Sequence, residues 1–123
     1  MSEISHVQTI GGEVWEMISS ERRDKALTYL AETDEPIGQL KSDLERTKYK
    51  ANAIEDAGFL RIEGGSVAER QARARSLREF GEAMDHYFHL LEQYEKIKHK
   101  RGTEILVIEV WRTEAADRRA GNV

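Results

Sequence analysis

The chain of 123 residues has no cysteine, a single proline (Pro36) and few aromatic residues, only 7% of the total. Without thiols a disulfide scaffold, a thiolate zinc site, a cysteine nucleophile and an iron–sulfur cluster are all excluded, and a reducing compartment is expected. No apolar run approaches the ~18–20 residues a membrane span needs, and Met1 to Ile10 show no basic-then-apolar leader. We therefore expect a cytoplasmic protein with no membrane partner. A basic excess is also missing: 19 lysines and arginines face 23 acids, a net charge of −4. All of that net charge lies in the first half, since residues 1–62 hold 12 acids and 8 bases while residues 63–123 hold 11 of each. Proteins held on nucleic acid by phosphate neutralisation usually carry a basic balance.

What the chain does have is charge, 34% of residues, against a 39% apolar share. This is a thin supply for a compact core and typical of long solvated helices. Ser19-Ser20-Glu21 is a capping sequence ahead of strong helix formers. Leu30, Thr33, Ile37, Leu40, Leu44, Thr47, Ala51 and Ile54 follow in steps of three and four, the seam of a helix packed along another helix. Pro36 falls inside this run, and we expect a break or kink there. Ahead of it, Val14, Trp15 and Ile18 suit one face of a short N-terminal helix after Gly11-Gly12.

Gly64-Gly65 supplies backbone freedom, and Ser66-Val67-Ala68-Glu69 matches the capping box of a second helix. Leu77, Phe80, Met84, Tyr87, Leu91 and Tyr94 then define a second seam, read onward through Lys98, Arg101, Ile105 and Ile108. Residues 103–111 are β-branched enough for a strand, but no strand partner is evident and we read them as helix. The expected architecture is all-α, one helical domain over 1–123: an N-terminal segment 1–20, a kinked helix 21–57, a connection 58–66 and a helix 67–118. A continuous second helix would be ~75–80 Å long. Folding back at the connection brings residue i near residue 124 − i, so that 105–111 overshoot the first helix. Ile10, Val14, Trp15 and Ile18 or another copy of the chain would cover them, and an oligomer is the simpler answer.

Candidate chemistry is sparse. Glu82, Asp85, His86 and His89 have metal-ligand spacing on one helix, but the facing stretch Ile37 to Leu40 offers no ligands, and we read them as flank residues, with no metal and no cofactor. The acidic pairs Glu13/Glu16, Glu79/Glu82 and Glu92/Glu95 have the spacing of magnesium sites in all-α hydrolases, but chance supplies such pairs in so acidic a chain. No nucleophile elbow, phosphate loop or zinc-protease helix is present, and no enzyme is expected. Arg70, Arg73 and Arg78, with Arg75, and Lys96, Lys98, Lys100 and Arg101 are possible nucleic-acid contacts; each also has acids within helical reach. For Lys98 and Arg101, placed on the seam, pairing with Asp24 or Glu21 is the expected arrangement. Ile105, Leu106, Ile108, Trp111, Arg112, Arg118 and Arg119 are the expected interface; Trp111 buried against Trp15 or Val14 is the competing possibility.

Three stretches, Ala26-Leu27-Thr28-Tyr29-Leu30-Ala31-Glu32-Thr33-Asp34-Glu35-Pro36, Gly65-Ser66-Val67-Ala68-Glu69-Arg70 and Ile108 to Arg119, resemble a family of small all-helical proteins of tailed phages and prophages. The resemblance covers about residues 25–121. It implies an accessory role near recombination or replication genes in a bacterial host cell, and a phage or host DNA-metabolism protein as partner. No catalytic residue carries over with it. Direct nucleic-acid binding and inhibition of a host enzyme are the alternatives.

Overall fold

The computed structural model describes residues 4–10 and 13–121, with side chains from Met17 onward. Two strands, β1 (Ile4–Ile10) and β2 (Glu13–Ile18), precede three helices, α1 (Ser20–Arg61), α2 (Val67–Arg75) and α3 (Arg78–Arg119). The protein is all-α in its bulk, as its composition predicts. The short N-terminal helix is not formed. Instead β1 and β2 pair antiparallel, with Ile10 opposite Glu13, Thr9 opposite Val14 and Gln8 opposite Trp15. Val7, Thr9, Ile10, Val14, Trp15 and Ile18 are β-branched or aromatic, and a two-residue Gly-Gly spacing is the commonest hairpin connection. The side chains of Ile10, Val14 and Trp15, expected to cover 105–111, lie outside the described residues.

Ser19 starts α1 as anticipated, its Oγ accepting from the Arg22 amide at 3.0 Å. The helix then runs without a break through Pro36. Pro36 is exposed, and the seam positions Thr33 and Ile37 flanking it are both half-buried. Proline there removes one backbone hydrogen bond on the wet side, and a helix packed along its inner face tolerates that loss. Along α1 the buried or half-buried positions include Ala26, Leu30, Thr33, Ile37, Leu40, Leu44, Thr47, Ala51, Ile54 and Gly58, an uninterrupted alternation of four- and three-residue steps.

Helix α1 also extends past the expected stop at Ala57-Gly58, and residues 62–66 make the connection, with Gly64 and Gly65 at φ +80° and +86°. Ser66 caps α2 by accepting from the Glu69 amide at 3.1 Å. The continuous second helix is corrected to two: α2 stops at Arg75, and Ser76 donates its hydroxyl to the Arg73 carbonyl at 2.7 Å. A serine side chain competing for a helical carbonyl, followed by the tighter Leu77 N–H to Ala74 O bond of 3.3 Å, ends one helix and re-aims the next. Residues 103–111 are helical.

The chain divides into two compact units, residues 36–96, and residues 1–35 with 97–123. In the first of these, Leu44, Ala51 and Ala74 are buried with Thr47, while Leu77 ahead of α3 and Phe80, Met84, Tyr87, Leu91 and Tyr94 along it are half-buried. Gly58 is the point of closest approach: a Cβ there would stand 2.6 Å from Leu77 Cδ1 and 3.5 Å from Ala74 Cβ. In the other unit Met17 and Ala26 are fully buried, and Glu104 and Glu114 are buried with a small exposed remainder.

The glycines give a test of this packing. Gly38 and Gly81 are helical with open space where a Cβ would go, so Gly38→Ala and Gly81→Ala each raise stability by up to ~1 kcal/mol. Gly58→Val lowers it by about 1–3 kcal/mol through overpacking against Leu77 and Ala74. Urea denaturation monitored by helical circular dichroism measures all three.

Candidate functional site

The C-terminal part of α3 was expected to present Lys98 and Ile105 on the seam. The structure keeps Tyr94, Arg101 and Ile108 inward but takes Ile97 and Glu104 in place of Lys98 and Ile105, both of which are exposed. Two consecutive three-residue steps, Leu91 to Tyr94 to Ile97, turn the stripe by one position. The consequence is chemical: a carboxylate enters the interior, and an isoleucine leaves it.

Glu104 is only 7% exposed, and Arg22 from the first turn of α1 meets it with both guanidinium nitrogens, Nη1 at 2.6 Å and Nη2 at 2.9 Å. A planar fork on a carboxylate is the geometry that arginine satisfies and lysine does not. The hydrogen bond from Arg22, with its charge adding to it, holds the Glu104 carboxyl below the usual carboxylate range despite the opposing effect of burial. The same bond raises the Arg22 guanidinium further above its ordinary value.

Arg101 also points inward. Its Nη1 donates to the Leu30 carbonyl at 2.8 Å and to Thr33 Oγ1 at 2.6 Å, and Nη2 lies 3.6 Å from Asp34. For Arg101 the expected partners Asp24 and Glu21 are thus replaced by residues about two to four turns further along α1. Thr33 Oγ1 in turn donates to the Tyr29 carbonyl at 2.7 Å. One arginine therefore closes a chain of bonds onto the backbone of α1.

Two further contacts complete this unit. Glu114 Oε1 accepts from the Ile18 amide at 2.9 Å, fixing the last residue of β2 to α3. The Arg23 guanidinium lies 4.2 Å from the Trp111 ring centre, and Lys100 Nζ lies 4.4 Å from that of Tyr29. Trp111 is half-buried, so it serves the interior on one side and a cation on the other. Of the other expected interface residues, Ile108 and Arg118 are half-buried, whereas Ile105, Leu106, Arg112 and Arg119 are exposed. An open, shallow groove along α1 is lined by Glu21, Asp24, Lys25, Thr28, Tyr29 and Glu32.

In the unit of residues 36–96, the expected nucleic-acid contacts are placed differently from one another. Arg70 stacks its guanidinium 4.7 Å from the Phe59 ring centre, Arg78 pairs with Glu82 at 2.8 Å, and Arg73 is exposed. Arg75 and Gln71 both reach Glu55, at 3.0 and 3.3 Å. Lys96 pairs with Glu92 at 3.0 Å, and that bond lowers the Glu92 pKa. The metal-spaced cluster is dispersed: Glu82 is held by Arg78, and His89 Nε2 lies 3.1 Å from the Gln93 amide nitrogen. Among the described residues no three histidine, aspartate or glutamate side chains converge on a point where a cation would sit, and no described helix is long and apolar enough to cross a membrane.

Comparison with protein-family models, with curated proteins and with solved structures returns no match. The functional reading therefore rests on the residues themselves.

The depressed pKa of Glu104 has a signed consequence. Its contribution to stability is fully present above the ordinary carboxylate pKa and is lost as pH falls through the lower native value. Glu104→Gln is expected to cost about 1–2 kcal/mol near neutral pH. That difference from wild type should shrink below about pH 4. Paired thermal melts across the acid range measure it, and a difference independent of pH would show that the carboxylate charge is not what holds Arg22.

Proposed function

We propose that this chain acts by binding rather than by catalysis, as a non-enzymatic, oligomeric helical accessory protein of phage or prophage DNA metabolism, in the cytoplasm of the bacterial host. Its partners on this reading are copies of itself and a phage or host protein, with nucleic acid handled by those partners. The use of the cations carries the argument. Arg22 and Arg101 face inward onto Glu104 and onto the Leu30–Asp34 turn, while Arg75, Arg78 and Lys96 lie on Glu55, Glu82 and Glu92. A phosphate would have to displace these acids one by one, against a net charge of −4. Meanwhile large apolar side chains stand in solvent on the same helix, Ile105 at 45% and Leu106 at 58% exposure. Charge satisfied within the chain and hydrophobic surface left outside it suit a protein partner.

The acidic groove lined by Glu21, Asp24 and Glu32 favours a second reading, that the chain occupies a basic surface of a host enzyme as its inhibitor. The two readings share a binding mode by protein surface and differ in partner.

Titration with single-stranded and duplex DNA separates both from a nucleic-acid binder. The expected outcome is no measurable binding near 0.15 M salt. Affinity that falls by about a thousandfold between 50 and 200 mM salt signals six or more phosphate contacts; that result would overturn the proposal and assign Arg73, Lys98, Lys100 and their neighbours to the backbone of DNA.

A further inference from the structure

We infer that Arg70, held against Phe59 and one turn before Arg73, is a binding site for a single oxyanion, a carboxylate or a phosphate monoester. Arg70 is the exception to the satisfied cations on which the binding reading rests, and the inference adds a ligand chemistry to that reading.

Among the described residues, Arg70 Nε is the one buried side-chain nitrogen or oxygen without a hydrogen-bond partner. Burial keeps water from it, and a buried N–H of a charged group without an acceptor is costly. The arginines around it use the acids at hand, Arg61 lying on Glu79, Arg75 on Glu55 and Arg78 on Glu82. Arg70 instead rests its guanidinium 4.7 Å from the Phe59 ring centre. An aromatic face favours the cation but does not neutralise it. The positive charge of a half-buried group is thus left without a counter-ion inside the chain.

The geometry selects the ligand. Contact with Phe59 fixes where the guanidinium lies, so its two terminal nitrogens offer parallel N–H bonds on the open edge. Such a fork matches the paired oxygens of a carboxylate or a phosphate, and it matches no halide or neutral group as well. Exposed Arg73, three residues on, brings a second cation to the same side of α2. Val67, three residues before Arg70 and 64% exposed, offers apolar contact to whatever carries the oxyanion. Acids limit the site to one anion. Glu63 and Glu69 are exposed nearby in the chain, and Glu69 turns back so that its Oε2 lies 2.9 Å from where a Gly65 Cβ would stand. A run of phosphates would meet these carboxylates, whereas one oxyanion on the Arg70 edge needs only the fork.

Arginine Nε–H signals in nitrogen–proton NMR read the site directly. The full chain is titrated with sodium acetate and, separately, with sodium phosphate, the ionic strength being held with sodium chloride. The Arg70 signal should move saturably, with a dissociation constant of about 1–10 mM, at least about tenfold tighter than at Arg112, an exposed arginine of the other unit. Arg70→Lys, followed at the Val67 amide, should lose saturable binding of both anions, because an ammonium has no fork. Glu69→Gln should tighten binding by about two- to fivefold through loss of a repelling charge. Tighter binding of phosphate than of acetate assigns the site to a phosphate monoester; equal or weaker binding assigns it to a carboxylate, as an acidic side chain of a partner would supply. Shifts at Arg70 that only track those at Arg112, that chloride reproduces, or that persist saturably in Arg70→Lys overturn the inference. Should Arg70→Lys fail to fold, the comparison of Arg70 with Arg112 in the wild type decides alone. The salt titration with DNA tests the protein-binding reading separately, and neither outcome fixes the other.

Discussion

The pairing of Arg22 with Glu104 is the constraint on which the unit of residues 1–35 and 97–123 depends. A carboxylate this buried costs several kcal/mol in desolvation unless it is paired and hydrogen-bonded. The two-pronged contact at 2.6 and 2.9 Å meets that requirement and needs Glu104 turned toward α1. Once Glu104 is inward, Ile108 and Trp111 follow it inward at helical spacing, and Leu106 and Val110 must face out. Arg101 reinforces the same setting from one turn before, through the Leu30 carbonyl and Thr33. Apolar burial alone would not have chosen this register, because rotating Ile105 inward would bury more hydrocarbon than Glu104 does. The polar contacts select the arrangement, much as a buried polar residue specifies the register of a coiled coil.

The two units thus solve one packing problem differently. In residues 36–96 the least exposed stripes are mainly apolar, Leu44 and Ala51 on α1 and Phe80 and Met84 on α3, and Gly58 lets Leu77 and Ala74 approach closely. Among the described side chains of the other unit few large apolar ones are buried, and charged side chains bond to its backbone: Glu114 on the Ile18 amide, Arg101 on the Leu30 carbonyl. Bonds of this kind are directional, so they fix geometry more firmly than they add stability.

Much of this was legible from residue spacing. The α1 seam from Leu30 to Ile54 is the observed one, because every step is three or four and each position is apolar, small or threonine. The capping serines at 19 and 66 act as their sequences indicate. Three features were hidden. Pro36 looked like a break because local propensity argues for one, and an exposed proline on a helix held by its inner face does not obey it. Val14, Trp15 and Ile18 fit a helical face as well as a strand, and the Gly-Gly spacing was the neglected signal. The turn of the α3 stripe at Ile97 was hidden because hydrophobicity ranks Ile105 above Glu104. Only the complementary arginine 82 positions away reverses that order. An expected ion pair from a cation of α3 to an acid of α1 is met by Arg101 and Asp34, further along α1 than expected, and a second pair of the opposite sense, Arg22 with Glu104, joins it.

The central claim is that Arg22 and Glu104 recognise each other and so set which face of α3 remains outside. A double-mutant cycle of Arg22→Met, Glu104→Leu and the double variant in urea unfolding tests it most directly. The account predicts that either single change costs about 2–3 kcal/mol by stranding a partly buried charge. The double variant should be close to wild type in stability, giving a coupling of at least about 1.5 kcal/mol. Additive losses, with no coupling between the two positions, would contradict it.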